Sequence, residues 1–204
     1  MRFVVGLGNP GKEYAAHRHN VGFMVVDALS VRLRADPFRE KFSGACARAQ
    51  IGGEPVVLLK PMTYMNDSGR SVQPALAFFK VDPEHMIVVH DELDLPFATV
   101  RIKFGGGHAG HNGLRSIVAH LGTADFVRVR IGIGRPPPGF RGAPADFVLS
   151  SFDAVERAML PDILKQAAES VLDVALRGVS VAMNTHNTRP EKKPPKGSGG
   201  EQTG

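Results

Sequence analysis

The sequence predicts an α/β fold: a single domain built on a twisted mixed β-sheet, parallel at its centre with antiparallel additions, and flanked by helices. Three observations carry this. Strand-like and helix-like stretches alternate along the chain. The run HMIVVH at 85–90 is apolar through its middle, as in a central strand buried on both faces. Strand-like stretches at 45–50 and 55–60 flank Gly52-Gly53. A pair of glycines accepts the positive φ angles of a tight hairpin, so these two strands run antiparallel.

The elements follow in order. Residues 2–7, RFVVGL, form a first strand ended by Gly and Pro. Residues 20–34 carry Gly22, Val25, Val26, Leu29 and Leu33 at helical spacing, with Asn20 as N-cap. After the hairpin, 68–80 reads as a helix with Val72, Ala75, Leu76 and Phe79 on one face. Strands at 85–90 and 98–104 follow, then the glycine-rich FGGGHAGHNG at 104–113. A short helix carries Leu114, Ile117, Val118 and Leu121 and stops at Gly122. Residues 126–132 alternate, Val127, Val129 and Ile131 facing one way and Phe126, Arg128 and Arg130 the other. A Pro/Gly-rich loop at 136–144 precedes Asp153 and Glu156, spaced as a capping box. The helix after it is expected to be interrupted or restarted at Pro161 and to end at Gly178. From 186 to 204 the chain is rich in Pro, Lys and Gly and lacks an apolar run, the composition of a disordered basic tail on a domain spanning 1–185.

Composition excludes several classes. At 204 residues, 43% hydrophobic and 22% charged, the chain can bury a core and is not wholly disordered. The lone Cys46 excludes an intrachain disulfide framework and a zinc ribbon; it sits among small residues in a strand-like run, as a buried inert thiol would. No apolar run reaches the roughly 18–20 residues of a membrane span. The start of the chain is not a secretory signal, and a reducing cytoplasm is the expected compartment. The net charge of +5 hints at an anionic partner.

Five segments carry chemistry. GLGNPG at 6–11 formally matches G-x-G-x-x-G. However, Pro10 removes an N–H from the loop that would cradle a pyrophosphate, and the helix does not open at Gly11. The turn instead presents Asn9 at the carboxyl end of the first strand, where α/β folds place their sites. HRHN at 17–20 sets His19 beside a helix start, rigid enough for a general base. HDELD at 90–94 delivers carboxylates to the end of the most apolar strand, where Asp91 can orient and polarise a histidine from another segment. In GGGHAGHNG, His108 and His111 with Asp91 or Asp94 could hold a metal. The same segment could bring backbone N–H groups to phosphate at a helix start, or use Asn112 simply as an N-cap. In PMTYMNDSG, Met62, Tyr64 and Met65 are core filler or, if exposed, a wall for an acyl group or base, with Asn66 as a polar handle. No serine or cysteine stands in a nucleophile elbow, so a hydrolase built on these parts would use water activated by histidine.

GLGNPGKEYAAHRHNVG, KPMTYMNDSG, HDELDLP, GGGHAGHNGLRSI and VRIGIGRP, in that order, make the chain resemble bacterial peptidyl-tRNA hydrolase over residues 1–185. The resemblance implies a monomeric, cytoplasmic α/β enzyme of translation, with no metal and no cofactor. It would cleave the ester between a peptide, or an N-blocked aminoacyl group, and the 3′ ribose of tRNA. Its macromolecular partner is peptidyl-tRNA, through the acceptor stem and 3′ end, and no membrane. On the matching positions, His19 falls on the catalytic base, Asp91 on its supporting carboxylate, and Asn9 on the residue that discriminates blocked from unblocked substrate. Asn66, Asn112, Tyr14 and Tyr64 fall on substrate contacts, and His111 on a site histidine. Lys103 and Arg130 fall on the tRNA-binding face. Two other classes differ in one feature each. A relative that binds RNA without hydrolysis would lack part of the polar set, which is complete here. A nucleotide-cofactor enzyme would rest on the glycine match alone.

The charge is segregated. Between Leu95 and Arg141 lie Arg101, Lys103, Arg115, Arg128, Arg130, Arg135 and Arg141 against Asp125 alone, whereas Asp91, Glu92 and Asp94 cluster just before. This predicts a basic track for phosphates beside an acidic, histidine-bearing pocket.

Overall fold

A computed structural model describes residues 1–187. Its sheet has seven strands in the order β2-β3-β4-β1-β5-β7-β6. The strands are β1 (Arg2–Gly6), β2 (Arg39–Lys41), β3 (Gly44–Ile51), β4 (Glu54–Pro61), β5 (Met86–Glu92), β6 (Val100–Phe104) and β7 (Val127–Gly132). The centre is parallel: β1 pairs with β4 and β5, and β5 with β7. Antiparallel pairs β2·β3, β3·β4 and β6·β7 complete both edges. The mixed sheet predicted from the Gly52-Gly53 hairpin is therefore present, and both glycines take positive φ, 59° and 85°.

Helices cover both faces, because every central strand is apolar on both sides. On one face Val4, Ile87, Val89, Val129 and Ile131 pack under α1 (Val21–Arg32), α5 (Ala154–Arg177) and α6 (Val179–His186). On the other, Phe3, Val5, Leu7, Val88 and Phe126 pack under α2 (Gly69–Phe79) and α3 (Asn112–Leu121). A short α4 (Pro144–Val148) precedes α5. The alternation read at 126–132 thus sends Val127 and Phe126 into different cores.

The glycines at the start of α1 serve contact between elements. A Cβ on Gly6 would lie 2.2 Å from the Gly22 carbonyl oxygen, and one on Gly22 would lie 2.4 Å from both Leu7 N and Val89 O. Two glycines facing each other let α1 sit directly on the strand ends, which accounts for Gly6 of the apparent nucleotide motif.

Two expectations need correction. Pro161 does not interrupt its helix: α5 runs unbroken over 24 residues. The Asp153/Glu156 capping box fixes its start, and Ile163, Ala167, Val171 and Val174 bury its later turns. Together these hold the helix through the one ladder bond that proline removes. Second, composition places 186 and 187 in the tail, but His186 ends α6, with Nε2 2.9 Å from Asp173 Oδ2. Asn187 exchanges two 2.8 Å bonds with the backbone of Ile102, satisfying part of the β6 edge. The tail beyond lies outside the described residues.

Candidate active site

The polar residues gather beyond the carboxyl ends of β1 and β5, adjacent parallel strands at the middle of the sheet. Asp91, the penultimate residue of β5, is 3% exposed, and His19, in a 3-10 turn (Arg18–Asn20), is 8% exposed. His19 Nδ1 lies 2.8 Å from Asp91 Oδ1. The same oxygen lies 3.0 Å from His111 Nε2. Nδ1 of His111 accepts from the backbone N–H of Gly113 and Leu114, so it cannot carry the proton, and Nε2 donates to Asp91. His111, rather than Asn112, is therefore the N-cap of α3. Those two N–H groups are consumed, so the helix start does not offer them to a phosphate.

With its Nδ1–H on Asp91, His19 is left with Nε2 as its basic atom. Burial works against the imidazolium, but the charge and hydrogen bond of Asp91 outweigh it and raise the His19 pKa above the ordinary imidazole value. Asp91 is pulled the other way: burial opposes its ionisation, yet the two histidines hold its carboxyl well below the usual carboxylate range. Next to it, His90 is wholly buried and pushed down to about 3, chiefly by burial and then by His111.

The turn holding His19 is fixed from both sides. Arg18 NH1 donates to Ser150 Oγ at 2.7 Å and to the Ser151 carbonyl, while NH2 pairs with Glu156. Asn20 does not cap α1 with its side chain; it exchanges bonds with the Asn9 backbone, 3.0 and 2.9 Å. Asn9 Oδ1 in turn accepts from Met65 N at 2.7 Å. Among the described residues no bond uses Asn9 Nδ2, so Asn9 faces a ligand as a donor. Its Oδ1 is already engaged by the Met65 N–H. Met65 is buried and is not part of an exposed wall; its Sδ would meet a Cβ placed on Gly113 at 2.6 Å. The contacts thus close a ring, from Asn20 through Asn9, Met65, Gly113, His111 and Asp91 to His19.

His19, Asp91, His111 and Asn112 line one cleft of about 340 Å³, with Leu93 and Val148 among its apolar walls. Asn112 Oδ1 accepts from Arg115 NH2 at 2.7 Å, leaving its amide nitrogen as the free end. Asn9, Asn66, Tyr14 and Tyr64 do not line this cleft. Asn66 is exposed on a 3-10 turn (Met65–Asp67) that packs against α3, and Tyr64 beside it is 63% exposed. Tyr14 is half-buried, edge-on to His17 at 5.5 Å. Lys103 and Arg130 stand on one face of the β6·β7 pair; Arg130 NH1 is 3.9 Å from Glu92 Oε2. Arg128, counted in the basic track, is only 2% exposed and donates to the carbonyls of Gly106 and Gly107. It holds the glycine-rich loop and does not face solvent.

Among the described residues, one group has metal-ligating atoms within mutual reach: His19, Asp91 and His111. Their facing atoms are joined by the hydrogen bonds just described, a donor–acceptor network rather than a set of lone pairs around an ion. His108, which the spacing alone would have allowed to join His111 at a metal, is not in this group; its Nδ1 accepts from Gly110 N at 3.2 Å.

Comparisons with known proteins show the family. The family model described as peptidyl-tRNA hydrolase matches residues 3–195. A peptidyl-tRNA hydrolase of Sorangium cellulosum is 72% identical over 204 residues, all of this chain and 91% of that protein. One from Mycolicibacterium vanbaalenii is 52% identical over 183 residues, covering 89% of this chain and 94% of its own. The crystal structure of peptidyl-tRNA hydrolase from Acinetobacter baumannii superposes with a TM-score of 0.85 at 41% identity, covering 92% of this chain and 94% of that one. With sequence, fold and family model in agreement, the chain belongs to the peptidyl-tRNA hydrolase family.

Proposed function

We propose that this protein hydrolyses the ester between a peptide and the 3′ ribose of tRNA by water that His19 activates. The observation that supports this most directly is the His19 Nδ1 to Asp91 Oδ1 bond of 2.8 Å, which leaves Nε2 as the base. Nε2 takes a proton from water as the oxygen attacks the ester carbonyl, and the imidazolium so formed is stabilised by Asp91. When the tetrahedral intermediate collapses, the same proton goes to the departing 3′ oxygen. Histidine in this role supplies about 10²–10⁴ in rate. The free amide nitrogen of Asn112 lines the cleft and can donate to the developing oxyanion, worth roughly 10²–10³.

Asn9 supplies selectivity. Presenting a donor, it matches a peptide carbonyl and meets a free α-ammonium donor to donor, an unpaired contact that disfavours unblocked aminoacyl-tRNA. Asn66, Tyr14 and Tyr64 contact the substrate outside the cleft, while Lys103 and Arg130 meet the acceptor-stem phosphates. Among the described residues no helix is long and apolar enough to cross a membrane. We place the enzyme in the cytoplasm as a monomer, the compartment that holds its substrate. The reading is tested by incubating wild type and His19→Ala with N-acetyl-aminoacyl-tRNA and its unblocked counterpart, scoring free tRNA. Wild type should cleave the blocked ester selectively, and His19→Ala should bind tRNA without turnover. Equal cleavage of both esters would remove the role of Asn9, and near-normal turnover by the variant would remove that of His19.

A further inference from the structure

At the other end of the sheet, strand alternation brings Arg39, Lys41 and Arg48 to the same face. Arg39 pairs with Cys46 and Lys41 with Gly44 across β2·β3, and Arg48 is two residues from Cys46, so all three point with the Cys46 side chain; Glu40 points away. They line a cavity of about 390 Å³, closed on one side by Phe79. No ion pair joins any of the three to a carboxylate among the described residues, although Asp36 also lines the cavity. Aromatic rings hold two of them instead. Lys41 Nζ lies 3.7 Å from the centroid of the Phe78 ring, and Arg48 Cζ lies 5.6 Å from that of Phe79. A ring fixes a cation in place without neutralising it. Cations at a sheet edge also discourage strand pairing. That role needs neither their convergence on one cavity nor an exposed phenylalanine beside it, and Phe78 is 54% exposed.

We propose that this cavity is a second anion site that takes a nucleotide unit. Its phosphate would lie among Arg39, Lys41 and Arg48, and its base against the exposed ring of Phe78. Three cations against the single carboxylate of Asp36 leave the cavity net positive and select phosphate, and an exposed ring beside them selects a flat partner, as in single-stranded nucleic-acid grooves. The cavity lies on β2 and β3, three to four strand spacings from β5, about 14–19 Å. It is therefore separate from the His19 cleft, and a nucleotide bound there does not compete with the ester. Two sources share this chemistry: an unpaired nucleotide of the tRNA, or a free nucleotide.

The test compares wild type with Lys41→Gln/Arg48→Gln, using deacylated tRNA and AMP as probes over a salt series. Lys41→Arg/Arg48→Lys keeps the charge and controls for folding. If tRNA fills the site, the Gln variant binds tRNA several-fold more weakly, and its log K against log[salt] slope shrinks by about 0.7, one phosphate's share. The charge-keeping variant retains both. If a free nucleotide fills it, AMP saturates wild type and the charge-keeping variant but not the Gln variant, with the tRNA slope unchanged. AMP and tRNA binding indistinguishable between wild type and the Gln variant would overturn the proposal. Turnover of saturating N-acetyl-aminoacyl-tRNA should be the same in all three proteins, which separates failure here from failure of the His19 mechanism.

Discussion

The side chain of Asn20 and the backbone of Asn9 exchange two hydrogen bonds, 3.0 and 2.9 Å, across eleven residues of sequence. The pair joins the turn after β1 to the turn that carries His19, so the proposed discriminating amide of Asn9 and the proposed base are positioned by one contact. Asn20→Ala leaves a buried N–H and a buried carbonyl unpaired, at about 1–3 kcal/mol each before relaxation. The expected outcome is a melting temperature several degrees lower and a kcat down by about 10-fold or more, since small misplacements of a base are costly. An Asn20→Ala enzyme with wild-type kcat would show that this pair does not position the site.

Asp91 and His111 should move the acidic limb of the pH–rate profile in opposite directions. The base works deprotonated, so activity rises with pH through the His19 pKa, which is raised above the ordinary imidazole value. Asp91→Asn removes the charge that opposes burial, so the His19 pKa falls and the limb shifts to lower pH. The rate on the plateau falls with it, by about 10² or more, because the imidazolium loses its partner. His111→Ala removes a donor from Asp91, leaving more of that charge to His19, and the limb shifts to higher pH. It also removes the α3 cap, at about 0.5–2 kcal/mol. Shifts of the same sign in both variants would contradict the shared Oδ1.

Much of this was legible in the sequence, for physical reasons that also mark where legibility stops. His19 and Asp91 could be singled out because strand ends in α/β folds deliver side chains to one crevice, and an imidazole with a carboxylate is a recognisable pair. Asn20 was misread because an asparagine before a helix has two uses, and its partner, Asn9, is fixed only by tertiary structure. His111 was missed as a cap because the residues that usually cap are Ser, Thr, Asp and Asn. Arg128 sits in the same alternation as Arg130. Nothing local shows that the carbonyls of Gly106 and Gly107 would fold back to meet it. α6 was not foreseen because its eight residues, VSVAMNTH, carry few helix signals and gain their stability by packing on β6.

His90 should make the fold acid-sensitive by itself. Its pKa is pushed down to about 3, chiefly by burial, against about 6.5 in the unfolded chain. Between these values the unfolded state binds one more proton, so stability falls as pH falls, by up to about 1.4 kcal/mol per pH unit. His19 shifts the opposite way, and its contribution is already fully present below about 6.5, so it does not add slope there. Urea unfolding between about pH 6 and 4.5 should show this slope in wild type and a flatter one in His90→Asn, which keeps a donor for the Asp91 carbonyl. Identical slopes would show that His90 is not the titrating group.

The basic face of β6 and β7 contains two kinds of cation, and salt dependence should tell them apart. Lys103 and Arg130 are partly exposed on one face of the pair. If each neutralises one phosphate, Lys103→Ala and Arg130→Ala should each weaken tRNA binding and reduce the log K against log[salt] slope by about 0.7–0.9. Arg128 is buried on the same face with its guanidinium on the loop carbonyls. Arg128→Ala should therefore leave the salt slope unchanged while lowering stability, because the glycine-rich loop loses two hydrogen bonds from a buried guanidinium, at about 0.5–1.5 kcal/mol each. Filter binding of tRNA from about 50 to 200 mM salt, beside thermal unfolding, separates the two effects. A slope lowered by Arg128→Ala but not by Lys103→Ala would place the phosphate track on the wrong residues.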